Sequence, residues 1–434
     1  MPASTRRRAS PLLFKWEPLE FGLDSTGNPW ALSGNRVVTG TFDRGGTVGA
    51  ASSVDVNGRV FTPGYKTPRS YHPYDATTGL FLPRGILLEG ARTNLVVQSD
   101  TLTAGAGWTV SGTATPTAAY SNIGATSFTR ITGIAAGAGN IQRSVTLTGD
   151  GVKACSAVVQ FDVAGTQVLT LLYDNTAGAQ RCTVTVTWAS DGTATCVANT
   201  GTLLLFQRLQ TVSGASTYGI VAQSTSATAA NAHRCYPVSS VVGGTADSAR
   251  IGGCQVEDAT FPSSIIPTVG STVTRSADAL SFPFNAATQA LTVYCKGVER
   301  GGSLVAASGM WEVGQWATYP ALMSYRDGAN GTSYWHNSGT QVGGAGVAAP
   351  TNGQSFEERI TLNASGVTQY SLSIEGAAEA TGAASSAAAL TAGALFGGAV
   401  IRLGLYTGGS YGFPAISSLR VAAGVQTMAT MRTL

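Results

Sequence analysis

The run KACSAVVQFDV (Lys153–Val163), followed by TQVLTLLYD (Thr166–Asp174) and QRCTVTVTW (Gln180–Trp188), decides the class of fold. Apolar and β-branched residues are interleaved with Ser, Thr and Gln, the period of two that sends successive side chains to opposite faces of a sheet. Asp174–Asn175 and Asp191–Gly192 close the second and third runs as turn signals, and Asp-Gly suits the positive φ of a hairpin connection. Working outward, QRSVTLTG (Gln142–Gly149), TATCVAN (Thr193–Asn199) and STYGIVAQS (Ser216–Ser224) repeat the pattern. About eight to ten strands before Pro262 amount to one β-sandwich of jelly-roll size.

A second β block follows TVGSTVTRSADALSF (Thr268–Phe282). LTVYCKGV (Leu291–Val298), YPALMSYRD (Tyr319–Asp327), TSYWHN (Thr332–Asn337), ERITLN (Glu358–Asn363), TQYSLSIEG (Thr368–Gly376) and ISSLRVAAG (Ile416–Gly424) again read as strands. Asp327–Asn330 and Asn363–Gly366 are turn signals. The tail VQTMATMRTL (Val425–Leu434) holds helix formers and reads as one closing helical turn. No βαβ alternation and no heptad run occurs, which disfavours doubly wound folds and coiled-coil shafts.

Residues 1–99 have a different texture. They carry 11 Lys or Arg and seven acids, a surplus of four, so residues 100–434 carry −1 of the chain's +3. Aromatics and prolines crowd here without period: Phe14, Trp16, Pro18, Phe21, Pro29, Trp30, Phe42, Phe61 and Pro63. Such a stretch offers no closed apolar face, so it reads as an extended arm that lies along a partner. Arg6, Arg7 and Arg8 with Phe14, Trp16, Phe21 and Trp30 are its candidate anchors. The expectation is therefore an all-β chain: an irregular anchoring arm (1–99) and two β-sandwiches, 100–267 and 268–434.

Composition narrows the function. Charged residues make up 11% of the 434, against roughly 25% in an average domain, and 43% are hydrophobic. Disorder by high charge is excluded, and a balance of +3 does not suit a nucleic-acid coat or a polybasic membrane binder. So little charge also points to a surface partly covered by neighbours. Near the start, the apolar run Pro11–Phe14 is stopped by Lys15 and Glu17, too short for a secretory signal. The segment Ala387–Ile401 is rich in Ala and Gly and makes a poor membrane helix. Arg outnumbers Lys 22 to four, weakly favouring an interface-rich protein. The six cysteines, at 155, 182, 196, 235, 254 and 295, include no C-x-x-C pair. They read as buried free thiols, with disulfides formed in an oxidising exterior as the alternative and no pairing assigned.

Three stretches resemble a family of tailed-bacteriophage virion proteins. PRSYHPYDATTGLFLPRGILLEGARTNLVVQSD (Pro68–Asp100), preceded by TVGAASSVDVNGRVFT (Thr47–Thr62), is similar to the "pR…GlLiEg.rTNL" motif of phage head-fibre, collar and tail-fibre proteins. GGCQVEDATFPSSIIPTVGSTVTRSAD (Gly252–Asp278) resembles the "QlE…IPT.gs.vtR.aD" element that closes a carbohydrate-binding-module-like sandwich in them. ISSLRVAAGVQTMATMRTL resembles the end of their concanavalin-like lectin domains. Locally, Glu89 and Arg92 read as a neighbouring pair, Asn94 as a turn before the first sandwich strand, and Pro262–Asp278 as an extended linker on the outside.

Residues suited to catalysis are sparse. His72, His233 and His336 fall in three different regions, and no G-x-S-x-G, H-E-x-x-H or P-loop is present. Glycoside hydrolysis needs two carboxyl groups flanking a sugar. The adjacent pairs Glu257–Asp258 and Glu357–Glu358 would point to opposite sides of a strand. The aromatic set Trp311, Trp316, Tyr325 and Trp335 with Asp327 is a candidate glycan platform, against the simpler reading of core or interface rings. The resemblance implies a non-enzymatic virion component, without cofactor or metal, that docks through its arm. It would assemble as a homo-oligomer, most simply a trimer, with other virion proteins, without nucleic acid or membrane insertion. A receptor- or glycan-binding adhesin recognising host surface glycans is the alternative, ahead of a glycan-cleaving tailspike.

Overall fold

The protein is described from a computed structural model. The structure describes residues 73–434 except 76, 79, 83, 124–125, 212–213, 239–244, 284–289, 300–307, 315–320, 328–329, 338–339, 344–345, 352, 386–399, 404–414, 424 and 434. Before residue 73 it describes strands Leu13–Phe14, Trp30–Ser33, Arg36–Thr39, Thr41–Asp43, Ser53–Val54, Val60–Phe61 and Arg69–Ser70. The anchor candidates Arg6, Arg7, Arg8, Trp16 and Phe21 lie outside the described residues.

The chain is all-β, with two sandwiches of antiparallel sheets. In the first, one six-stranded sheet runs in the order Thr109–Gly112, Gly139–Val145, His233–Val238, Gly165–Asp174, Ala179–Trp188 and Ala194–Thr200. The other runs Thr115–Ile123, Thr126–Thr132, Ser248–Glu257, Ala154–Gln160, Thr217–Gln223 and Thr202–Arg208. Alternate residues meet between them: Cys155, Ala157, Val159, Ile220 and Ile251 from one sheet, Leu169, Leu171, Cys182, Val184 and Val186 from the other. The turns fall where the Asp residues predict. Asp174 Oδ1 accepts from the Ala177 amide (2.9 Å), and Asp191 Oδ1 accepts from the Thr193 amide (2.8 Å).

The second sandwich packs two eight-stranded sheets around Leu280, Phe282, Val293, Cys295, Val313, Phe356, Ile360, Ile401 and Leu419. The closing turn of the tail is the helix Met428–Thr433. Thr427 Oγ1 accepts from the Thr430 amide at its start (3.1 Å), and Met428 and Met431 pack on Tyr294 and Ala422.

The N-terminal segment departs from the expectation of an arm outside both sandwiches. Thr41–Asp43 adds to Ala279–Pro283 at the edge of one sheet of the second sandwich. Ile86–Leu87 joins Ala415–Ala423 in the other sheet and carries Arg69–Ser70 beyond it. Leu13–Phe14 also pairs with Ala415–Ala423, Phe14 lying opposite Leu419, whereas Trp30 sits in a hairpin opposite Thr39. Residues 268–434 therefore do not make their sheets alone. Strands of two or three residues show no readable period, and the strands of the second sandwich that they join lie hundreds of positions away, so local pattern could not reveal them.

Candidate functional site

The two quoted motifs meet. Strand Arg92–Asn94 of the first pairs with Val273–Arg275 of the second, and the residues that flank this short ladder build a buried ionic joint. Gly85 (φ +120°) lets the first motif press against the backbone at Ile416, where a Cβ would collide with the Ile416 carbonyl oxygen. That contact brings Glu89 to the centre. Glu89 Oε2 accepts from Arg69 Nη1 (2.6 Å) and Ser264 Oγ (2.8 Å), Oε1 accepts from the Ser264 amide (2.9 Å), and Arg275 Nη2 lies 3.4 Å from Oε2. Asp278 Oδ2 accepts from Arg69 Nη2 and the Glu89 amide (2.9 Å), with Arg275 Nη1 at 3.6 Å. Arg275 Nη2 also donates to the Gly90 carbonyl (2.6 Å), and the Asp278 amide to the Glu89 carbonyl (2.8 Å).

Arg69, Glu89, Arg275 and Asp278 are all fully or almost fully buried. Two guanidinium and two carboxylate groups balance, which is the condition for keeping charge out of water. Burial opposes the Arg69 charge, yet Asp278 and Glu89 outweigh it and hold that guanidinium above its usual range. For Arg275 burial prevails and lowers the value, with Glu89 opposing and Arg69 adding to the fall.

A second layer ties the joint to the first sandwich. Asn94 Nδ2 donates to the carbonyls of Ile266 (2.9 Å) and Cys254 (3.2 Å), while its Oδ1 accepts from the Val96 amide (3.0 Å), the local turn expected of it. Ser99 and Thr268 exchange amide-to-hydroxyl bonds at 3.0 Å each. Glu257 accepts from the Ser263 amide (2.7 Å) and hydroxyl (2.5 Å). Burial pushes the Glu257 carboxyl up to about 7 and that of Asp100 up to about 6. The supposed outer linker is thus largely internal: Ile266, Thr268, Arg275 and Asp278 are buried, and Val269, 79% exposed, shows the loop surfacing between them. Glu89 pairs with Arg69 and Arg275, and its charge also acts on Arg92, whose lowered value is set by burial, with Glu257 and Glu89 opposing.

Of the glycan candidates, the two with described side chains, Trp311 and Tyr325, do not share a face. Trp311 is fully buried and its indole Nε1 donates to Glu358 Oε1 (2.5 Å), so no ring face is open to a sugar. Its strand partner is Ser324, which places the half-buried Tyr325 on the other face of the sheet. Asp327 and Trp335 lie in strands, opposite Asn330 and Leu322 respectively, with side chains outside the described set, and Trp316 is outside it altogether. What Trp311 joins instead is an internal cluster. Glu358 Oε2 accepts from Ser324 Oγ, Arg326 Nη1 and Tyr370 Oη, each at 3.0 Å, and Glu299 lies 3.7 Å from Arg326 Nε. Gly331 lies over it, because a Cβ there would come 2.7 Å from Arg326 Nη1 and closer still to the Tyr370 hydroxyl.

These carboxylates are sealed and occupied, which suits holding a shape rather than moving a proton to a substrate. Glu357 and Glu358 face opposite sides, as alternation requires: Glu357 meets Arg432 Nε (2.5 Å) and Lys296 Nζ (3.3 Å) outside, Glu358 the core. His233 is buried 3.9 Å from Asp174, and burial lowers its value. Among the described residues no group of three His, Cys, Asp or Glu is placed to hold a metal, and no helix is long and apolar enough to cross a membrane. All six cysteines are free thiols, five buried and Cys196 half-buried.

Arg69, Asn94, Ser264, Thr268, Arg275 and Asp278 were not among the residues singled out as sites from the sequence. The available signal was their presence at the fixed letters of the two motifs. No protein-family model matches the sequence, and no curated protein matches it. Among solved structures the chain is similar to mouse laminin alpha1 chain, domains LG4-5, at 10% identity with a TM-score of 0.22, covering 78% of this chain and 90% of that one. The two sandwiches are assigned from strand pairing and from their separate cores.

Proposed function

We propose that the chain is a non-enzymatic structural component of a tailed-bacteriophage virion, of head-fibre, collar or tail-fibre type, that displays its two β-sandwiches as a fixed unit. One observation carries this reading. The motif residues Arg69, Glu89, Asn94, Thr268, Arg275 and Asp278, on which the resemblance rests, are spent on one buried joint between distant parts of the chain. Motifs of a catalytic family hold groups open to substrate, whereas these close on each other. Assembly as a homo-oligomer, with virion proteins as partners, belongs to the same proposal.

The test is immunogold electron microscopy, with antibody against the purified chain, on purified particles of the virus that encodes it. Labelling at a fixed place on every particle supports the reading. Absence from particles, or release of reducing sugar from host polysaccharide by the purified chain, overturns it.

A further inference from the structure

The first sandwich carries a charged row across one sheet. Thr117, Arg130, Arg250 and Gln160 lie opposite one another on four neighbouring strands. Two arginines in direct register repel, so the row needs an anion between them. Asp162, whose side chain is 3% exposed, supplies it: Oδ2 accepts from Arg130 Nε (2.7 Å), Oδ1 lies 2.7 Å from Arg250 Nη2, and Ser248 Oγ donates to Oδ2. Arg250 is held further by Gln160 Oε1 (3.4 Å from Nη1) and by the Tyr120 hydroxyl (3.2 Å from Nη2). Arg130 differs. Its two Nη groups have no hydrogen-bond partner among the described residues, and its side chain is 35% exposed.

Beside this row the edge strand Thr115–Ile123 bulges. Ala118, Ala119 and Tyr120 stand against the single residue Thr129, between the pairs Thr117–Arg130 and Ser121–Phe128. Ala119 takes φ +52°, the left-handed region that disfavours a residue with a Cβ. A bulge re-aims side chains, and here Tyr120 lies against both arginines, with Arg250 Cζ 4.4 Å and Arg130 Cζ 5.7 Å from its ring centre. The contact does not bury the ring, because Tyr120 remains 46% exposed. The strained backbone thus presents an aromatic surface to solvent next to a guanidinium with open donors.

We infer that Tyr120 and Arg130 form a binding site for an acidic glycan, the ring stacking on the C–H face of a sugar acid and the Arg130 fork pairing with its carboxylate. A planar guanidinium offers parallel donors that match a carboxylate. Two guanidiniums against the one carboxylate of Asp162 leave a positive surplus, which a carboxylate on the ligand balances. A small organic acid would leave the ring unused and a neutral sugar the fork, whereas a uronic acid engages both. Arg250 and Asp162 are positioning residues, since their bonds fix the ring and the fork rather than reach outward. The inference does not rest on the virion reading, because it needs only the face of the first sandwich.

The experiment titrates the full chain, by ligand-observed NMR, with oligosaccharides of galacturonic, guluronic and glucuronic acid, with their methyl esters and with citrate. At least one acid should bind, and its ester and citrate should bind about tenfold or more weakly, because each lacks one half of the recognition. Tyr120→Ala and Arg130→Gln should each weaken the acid by about tenfold or more, whereas Tyr120→Phe, which keeps the ring, should change it by less than about threefold. Arg234→Gln, on the other sheet, should leave it unchanged. Equal affinity for acid and ester, citrate binding as tightly as the sugar acid, binding unmoved by both Tyr120→Ala and Arg130→Gln, or no binding of any of the three acids overturns the inference. None of these outcomes bears on whether the chain is found on particles.

Discussion

The two sandwiches reach the same architecture by opposite means. The first is cut from one continuous stretch, and its centre is apolar and sulfur-rich: Leu169, Val184, Ile251, Trp188 and four cysteines. The second borrows strands from the N-terminal segment and buries Glu358, Arg326, Glu299 and Tyr370 beside Trp311. An apolar core tolerates local rearrangement, because its attraction is not directional. An ionic core holds only while every member is in place, since a stranded buried charge costs more than the pair contributes. The first sandwich should therefore behave as an autonomous body, and the second as a body conditional on distant strands and on the joint at Glu89.

The largest expected contrast comes from cutting the chain. Residues 95–267 expressed alone should fold cooperatively, with dispersed amide resonances. Residues 268–434 alone should not, because they lack Thr41–Asp43, Arg69–Ser70 and Ile86–Leu87, which complete both sheets. Fusing residues 1–99 back should restore folding. A well-folded 268–434 fragment would remove the distinction between the two bodies.

Next in size is Arg69→Met. It leaves Glu89 and Asp278 short of their main counter-charge, and breaking a buried pair typically costs about 3–5 kcal/mol. In denaturant, the second sandwich should unfold earlier by that amount while the transition of the first stays in place. Glu358→Gln should follow at about 2–3 kcal/mol. It removes the charge facing Arg326, but the amide keeps an acceptor for Trp311 or Tyr370 and Glu299 remains near the guanidinium. Loss of near-ultraviolet ellipticity from Trp311 would report it directly.

The order of these effects also explains what was legible in the sequence. In the first sandwich, inward and outward residues differ in type, so alternation, the Asp-led turns and the Asn94 turn could all be read locally. So could the terminal helix, whose Thr427 cap and Met428–Met431 spacing are local signals. The joint was not readable in this way. Its prolines and polar side chains look like an exposed linker, and their burial depends on partners some 180 positions away whose charges cancel theirs. Trp311 shows the same limit: composition gathers the aromatics into one cluster, but only strand register reveals that Trp311 and Tyr325 face opposite sides.

Titration sharpens the contrast further. A carboxyl whose folded value is raised is penalised when ionised, so stability grows as pH falls through that value toward the unfolded one. Glu257, at about 7, and Asp100, at about 6, should make the first sandwich more stable at pH 6.5 than at pH 8, by roughly 1 kcal/mol. Below pH 6.5 the buried His233, with its lowered value, works the other way, because the unfolded chain takes up its proton first. Thermal melts at the two pH values check this, and Glu257→Gln should remove most of the slope. A slope that survives the substitution would assign the titration elsewhere.

The smallest effect is expected one residue from one of the larger. Glu357 and Glu358 are neighbours in strand Ser355–Leu362, yet Glu357 meets Lys296 and Arg432 at the surface. The carboxyl of Glu357 is lowered: partial burial opposes the shift, and the bonds from Arg432 and Lys296 exceed it. Exposed pairs of this kind contribute about 0–1 kcal/mol and weaken with salt. Glu357→Gln should thus cost less than about 1 kcal/mol at low ionic strength and nearly nothing at high salt. Glu358→Gln should keep its cost in both, because ions do not enter the core. Denaturant melts of the two variants at two salt concentrations give four numbers. Equal costs for the two substitutions, or equal salt dependence, would mean that the inward face of the strand is not sealed.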